Sequence, residues 1–325
     1  MEKIFTITKD DFILIPIEFN EIKRKNDYAF GGFFLHKETL EEILSFCKEK
    51  NVIYILDFKN IQLCEDRIFD VLCGMKKNRI FLANLHQNNK IYEKFKHSLE
   101  SEKYECLMNG IILFSQEYRE QAENIELKSF YKCEVRKLVS LHTHEWKEIL
   151  DGHQWGYLVS SGVYSEQLID MKELFYCHQD TLFIIYMLYN SICEWGGEFD
   201  GFVATSKNGV AFGAILGEIF RKELLCFNIG QMFEEIYNRL PEIEAGKRYI
   251  HIFDMICLGS EAKVVNALVS AQGGNLVHSF GIVCLLDLEA VNRQNRYSFL
   301  NHVSPLVRYE DLDVEYRISL IDDGR

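Results

Sequence analysis

The stretch from Lys247 to Leu286 (KRYIHIFDMICLGSEAKVVNALVSAQGGNLVHSFGIVCLL) limits the fold of this chain more than any other. Arg248 to Phe253 reads as a strand that runs into Asp254. A short loop with Gly259 follows, then a helical stretch from Glu261 to Ser270, a Gly273–Gly274 turn and a second apolar run from Val277 to Leu286. Strand, crossover helix and strand in this order form a βαβ unit, because parallel neighbours need a crossover connection. The loop then lies beyond the carboxyl end of the first strand and opens a helix, where backbone N–H groups are positioned to hold an anion. One glycine after a strand also fits an ordinary crossover, so both readings stand on this segment alone.

The same α/β rhythm runs through the rest of the chain. In the first part, Phe12 to Pro16, Val52 to Leu56 (ending at Asp57), and Arg79 to Ala83 read as strands. Lys37 to Glu49 puts Leu40, Ile43, Leu44 and Cys47 on one helix face, Asp66 to Met75 reads as a helix, and Ile91 to Leu99 is amphipathic. Apolar Ile111 to Phe114 follows, and the polar stretch Ser115 to Ser129 reads as a linker. Beyond it come a helix from Asp180 to Trp195, a strand Phe202 to Ala204, a loop, a helix Val210 to Phe220 and a strand Leu224 to Phe227. The expectation is α/β throughout, in two domains of residues 1–120 and 130–325, and 325 residues suffice for two cores.

Composition narrows the function classes. With 36 Lys and Arg against 49 Asp and Glu the net charge is −13, which argues against direct nucleic-acid binding by phosphate neutralisation and against an anionic membrane surface. No run approaches the ~20 apolar residues of a membrane helix. The amino terminus, MEKIFTITKDD, has no apolar run flanked by basic residues, so no secretory signal is expected. Ten cysteines without a Cys-x-x-Cys pair read as thiols of a reducing, bacterial cytoplasm.

Five segments, in order, resemble type I phosphoribosyltransferases, the orotate-type enzymes most of all. Gly156 to Phe175 (GYLVSSGVYSEQLIDMKELF) is similar to their Ser-Gly-x-x-Ser hood and Asp-x-x-x-Leu stretch, and Gly201 to Gly213 (GFVATSKNGVAFG) to their pyrophosphate loop. Leu225 to Asn228 resembles the strand before the flexible catalytic loop, Phe253 to Ser260 stands where the phosphoribosyl-pyrophosphate loop belongs, and Ser304 to Asp313 (SPLVRYEDLD) is similar to the family's ending. The resemblance implies a Rossmann-like parallel sheet. It also implies a ligand site made by Asp254, Cys257, Gly259 and Ser260, with Lys207, Asn208 and Gly209 of the pyrophosphate loop and Ser161 of the hood.

The departures from the family pattern fall on its charges. Phe253 replaces the first of two acids that bind ribose hydroxyls, and Cys257 and Leu258 replace two threonines. The flexible-loop counterpart, Ile229 to Glu235, has no cation and carries Glu234 and Glu235, where a departing pyrophosphate needs positive charge. Ser160 and Leu288 replace the Lys and Arg that hold orotate. Lys207 sits one position before the expected loop lysine, which is Asn208, and reads either as a phosphate contact or as a solvated loop residue. No catalytic residue is therefore assigned. Magnesium enters only if phosphoribosyl pyrophosphate binds.

Tyr54 to Leu72 (YILDFKNIQLCEDRIFDVL) resembles the central strand and helix of STAS domains, with Asp66-Arg67 near the place of their phosphorylatable serine; any small α/β interaction domain is the alternative. His142-Thr-His144 with Glu145 reads as a metal-binding trio or a polar surface pair, and no metal ligand is assigned. Cys257 reads as a reactive thiol at a helix start or as a small buried filler. The resulting expectation is a non-catalytic domain that binds a nucleotide-like ligand or a protein partner, itself or another, as a regulatory subunit of a defence or signalling complex. An active, divergent transferase using Asp254 and Lys207, and a structural subunit with its pocket filled by Phe253, Leu258 and Phe233, are the alternatives.

Overall fold

The structure is a computed structural model that describes residues 4–8, 12–24, 34–48, 52–74, 80–85, 93–94, 104–107, 110–113, 126–149, 155–158, 163–227, 242–286, 302–312 and 318–319. The chain divides into two compact units, one of Met1–Leu127 with Ile219–Arg221, the other of Lys128–Glu218 with Lys222–Arg325. Among the described residues no helix is long and apolar enough to cross a membrane, and no disulfide is formed.

The first unit runs β1 (Ile7–Thr8), β2 (Phe12–Pro16), α1 (Ile17–Arg24), β3 (Phe34–Leu35), α2 (Lys37–Phe46), β4 (Ile53–Asp57), β5 (Leu63–Cys64), α3 (Ile68–Gly74), β6 (Ile80–Ala83), β7 (Tyr104–Leu107) and β8 (Gly110–Leu113). Its main sheet has the order β1-β2-β4-β6-β8-β7. The central strands β2, β4 and β6 are parallel, while β1 and β8 pair antiparallel with their neighbours. Every residue of β4 is buried, as a strand covered on both faces requires. Leu40, Ile43, Leu44 and Cys47 form the expected buried stripe of α2, which ends at Phe46, short of Glu49. Asn20 of α1 is buried without an orphaned group: its Oδ1 accepts from Phe5 N (2.6 Å) and its Nδ2 donates to Phe5 O and Pro16 O. Most of Ile91 to Leu99 lies outside the described residues.

The second unit begins earlier than the linker reading allowed. Leu127 to Ser129 are the first turn of helix α4 (Leu127–Leu141). Leu127, Tyr131, Val135 and Val139 recur every four residues on its buried face, a helical stripe that overrides the polar character of the preceding stretch. Next come β9 (Thr143–Glu145), α5 (Trp146–Ile149), β10 (Gly156–Leu158), β11 (Val163–Ser165), β12 (Gln167–Ile169) and a 3₁₀ turn, Met171–Tyr176, capped by Asp170 Oδ1, which accepts from Lys172 N. Helix α6 (His178–Trp195) buries Leu182, Phe183, Ile185, Tyr186 and Tyr189 and stops at Gly196, whose φ of 63° suits glycine. The remaining elements are β13 (Gly201–Ala204), α7 (Lys207–Phe220), β14 (Glu223–Cys226), β15 (Arg248–Ile256), α8 (Ser260–Ala271), β16 (Asn275–Cys284), β17 (Val303–Arg308) and β18 (Ile318–Ser319).

Five of these strands make one sheet in the order β14-β13-β15-β16-β17, with every pair parallel. The parallel sheet that the resemblance implies is present and contains the expected strands Phe202 to Ala204, Leu224 to Phe227, Arg248 to Phe253 and Val277 to Leu286 in large part. From β13 the chain steps to β14 on one side, and from β15 it steps to β16 on the other. Because crossovers are right-handed, α7 and α8 fall on opposite faces, and their amino ends meet at the carboxyl edge of β13 and β15. That is a topological switch point, where open α/β sheets bind ligands.

Candidate functional site

The switch point is built from two strand-to-helix junctions. At the first, Ser206 is the amino-terminal cap of α7: its Oγ accepts from Gly209 N (2.9 Å), and its carbonyl accepts from Val210 N (2.8 Å). Lys207, Asn208 and Gly209 are therefore the first turn of a helix and not a loop, because the Ser206 cap starts α7 before Val210. Gly209 is where α7 closes on β15, since a Cβ there would lie 2.8 Å from Ile252 O and 2.8 Å from Ser206 Oγ. Lys207 is exposed and makes no ion pair among the described residues.

At the second junction β15 continues three residues past Phe253, so Asp254 stands on the strand. Adjacent strand residues face opposite sides. Tyr249 and Phe253 pack on the α8 side, the first with Val265 and Val269, the second with Ile256, Ala262, Cys284 and Val303. The Phe253 ring lies over Gly281, where a Cβ would come within 2.2 Å of it. Phe253 is thus part of the core on the α8 side.

Asp254 faces the other way, is half-buried and accepts three hydrogen bonds from the protein. Its Oδ1 accepts from Ser206 Oγ (2.9 Å) and from Met255 N (2.9 Å), and its Oδ2 accepts from Asn208 Nδ2 (2.9 Å). Two side chains from the first junction therefore bond to the acid of the second. After Asp254 the chain turns through Cys257, Leu258 and Gly259 into α8. Gly259 caps α8 with φ 72°, a left-handed conformation that glycine adopts without strain, and Lys263 N donates to its carbonyl (2.9 Å). Ser260 is exposed, and Cys257 is buried, in agreement with its reading as a filler.

Under this turn lies a cavity of about 10 Å³, the room of one water, lined by His251, Phe253 and the residues from Met255 to Ala262. His251 is fully buried and neither ring nitrogen has a hydrogen-bond partner. Burial pushes its pKa down to about 4, so the ring is neutral near pH 7. Glu261, in the first turn of α8, has its pKa pushed up to about 7 by burial first and by the Asp254 charge second. Sequence reading passed over Ser206, His251 and Glu261. A serine three residues before Gly209 was a visible cap signal, whereas the burial of His251 and Glu261 had none.

Ser161, Asn228, Ile229 to Glu235 and Leu288 lie outside the described residues. His142 and His144 do come together, but on Glu173: His142 Nδ1 and His144 Nε2 each lie 2.9 Å from Glu173 Oε2. The hydrogen bonds from His144 and His142 hold that carboxyl below its usual range, while Glu145 pairs with Lys147 instead. Among the described residues no group of three or more His, Cys, Asp or Glu side chains could hold a metal ion.

No family model matches the chain. An adenine phosphoribosyltransferase of Petrotoga mobilis is 26% identical in an alignment of 133 positions that covers 36% of this chain and 73% of the relative. Among solved structures, an adenine phosphoribosyltransferase of Thermoanaerobacter pseudethanolicus overlaps 44% of this chain and 88% of its own with 18% identity and a TM-score of 0.36. An orotate phosphoribosyltransferase of Aeropyrum pernix overlaps 54% and 95% with 13% identity and a TM-score of 0.41. The sequence likeness is to an adenine phosphoribosyltransferase, at low identity.

Proposed function

We propose that the second unit is a type I phosphoribosyltransferase fold that binds a ligand carrying one phosphate or a ribose, such as a nucleoside monophosphate, without transferring a phosphoribosyl group. In this reading the chain acts as a regulatory subunit, and the first unit is a STAS-like module that engages a protein partner or a second copy. The observation that carries the proposal is the engagement of Asp254 by Ser206, Asn208 and Met255 N, which leaves the one retained acid committed to the protein. The amino end of α8 keeps its glycine turn and with it the backbone donors for a single anion. A second reading, an active transferase, draws on the sequence likeness to the Petrotoga mobilis enzyme and on the exposed Lys207 beside the switch point.

Calorimetry with adenosine monophosphate, and with phosphoribosyl pyrophosphate with and without Mg²⁺, tests the ligand. Binding is expected to the native protein and to weaken by roughly tenfold or more in Gly259→Val, equivalent to about 1.4 kcal/mol, because a β-branched residue is strained at φ 72°. Binding untouched by Gly259→Val would place the ligand elsewhere. No binding at all would favour a subunit that recognises only protein.

A further inference from the structure

The amino end of α8 presents backbone donors to the recess, yet the second residue of the helix brings a carboxyl group to the same place. Glu261 makes no hydrogen bond or ion pair among the described residues, and it is half-buried and close enough to feel the Asp254 charge. The recess is also lined by His251, wholly buried with both ring nitrogens unpaired among the described residues, so its lining carries a polar group that the protein leaves unsatisfied. We propose that Glu261 is a proton-operated gate on this anion site: ionised, it repels a ligand's phosphate from the start of α8, and protonated, it admits one. The inference rests on the ligand-binding reading above and adds its regulation.

Among the described residues, Asp254 and His251 stand on β15, Cys257 in the turn, Lys207 at the start of α7, Cys284 on β16, Arg308 on β17 and Lys263 on α8 itself. Asp254 is the one that acts on Glu261, and as a like charge it favours the protonated gate. His251 is uncharged near neutral pH and supplies no countercharge. An arriving anion adds a second negative neighbour, so binding draws a proton from the buffer onto the Glu261 carboxylate, up to one per anion bound.

Sulfate is the probe of choice, because unlike phosphate it does not titrate near neutral pH. Calorimetry at about pH 6 and about pH 8 should show native affinity falling roughly tenfold over that interval. Glu261→Gln should bind equally at both, at the native acid-side affinity. In native protein at the higher pH, the heat should vary with the ionisation enthalpy of the buffer, reporting the proton taken up, a readout that needs no variant. An unchanged pH dependence in Glu261→Gln, or heats independent of buffer, would overturn the gate while leaving the ligand site standing. Absence of sulfate and nucleotide binding in both proteins would overturn the ligand-binding reading, and the gate with it.

Discussion

Phe253→Asp, which places an acid where the resemblance to phosphoribosyltransferases implies one, is expected to unfold the second unit. The side chain at 253 points under α8, packed among Ile256, Ala262, Cys284 and Val303 with its ring over Gly281. Removing a buried phenyl ring costs about 3–5 kcal/mol, and a carboxylate left without a partner in the same cavity adds several more. Together these approach the whole stability of an ordinary domain, about 5–15 kcal/mol. Phe253→Leu keeps most of the volume and should lose only about 1–2 kcal/mol. Denaturant unfolding followed by circular dichroism separates the two. A Phe253→Asp protein as stable as Phe253→Leu would mean that the ring does not belong to the core.

His251 should set much of the acid sensitivity of the same unit. Its folded pKa is depressed to about 4 by burial, as is that of His278 by burial and then by His302. A depressed group contributes stability that is fully present above its unfolded pKa, about 6.5, and that is lost as pH falls through the folded value. His251 therefore removes up to about 3 kcal/mol between about pH 6.5 and about pH 4, and the less enclosed, solvent-screened His278 removes less. Glu261 works in the opposite sense: its folded pKa is raised, so its contribution is present below about pH 4.5 and is lost as pH rises through about 7. His251→Leu should flatten the acid limb by about half and move the acid midpoint downward, and it also removes a buried polar ring that has no partner. Thermal melts between about pH 4 and about pH 8 measure both limbs. An acid midpoint identical to that of the native protein would show that His251 is not the buried neutral base described here.

The parts of the fold legible in the sequence were those fixed by local pattern. The apolar runs of β13, β15 and β16, separated by crossover helices, allowed little besides a parallel sheet, and the stripe of Leu40, Ile43, Leu44 and Cys47 announced α2. Helix α4 was hidden because its first turn, Leu127 to Ser129, continues a polar stretch, and its stripe shows only when Tyr131, Val135 and Val139 are counted with Leu127. At the site, Asp254 and Gly259 stood out by position. The bonds that join Ser206 and Asn208 to Asp254 span 48 and 46 residues, and no local pattern reports such a pairing. Both faces of β15 are apolar, Tyr249 and Phe253 on one and Ile250 and Ile252 on the other, so local pattern did not tell which face α8 covers.

Whether this site transfers a phosphoribosyl group is decided most directly by turnover. Purified protein with phosphoribosyl pyrophosphate and Mg²⁺ would be offered adenine, orotate, uracil and hypoxanthine in turn, with release of pyrophosphate and formation of nucleotide followed over time. The engagement of Asp254 by Ser206, Asn208 and Met255 N predicts no product above the protein-free rate with any base. Sustained release of pyrophosphate with formation of a nucleotide, lost in Asp254→Asn, would contradict it and make the chain a working transferase.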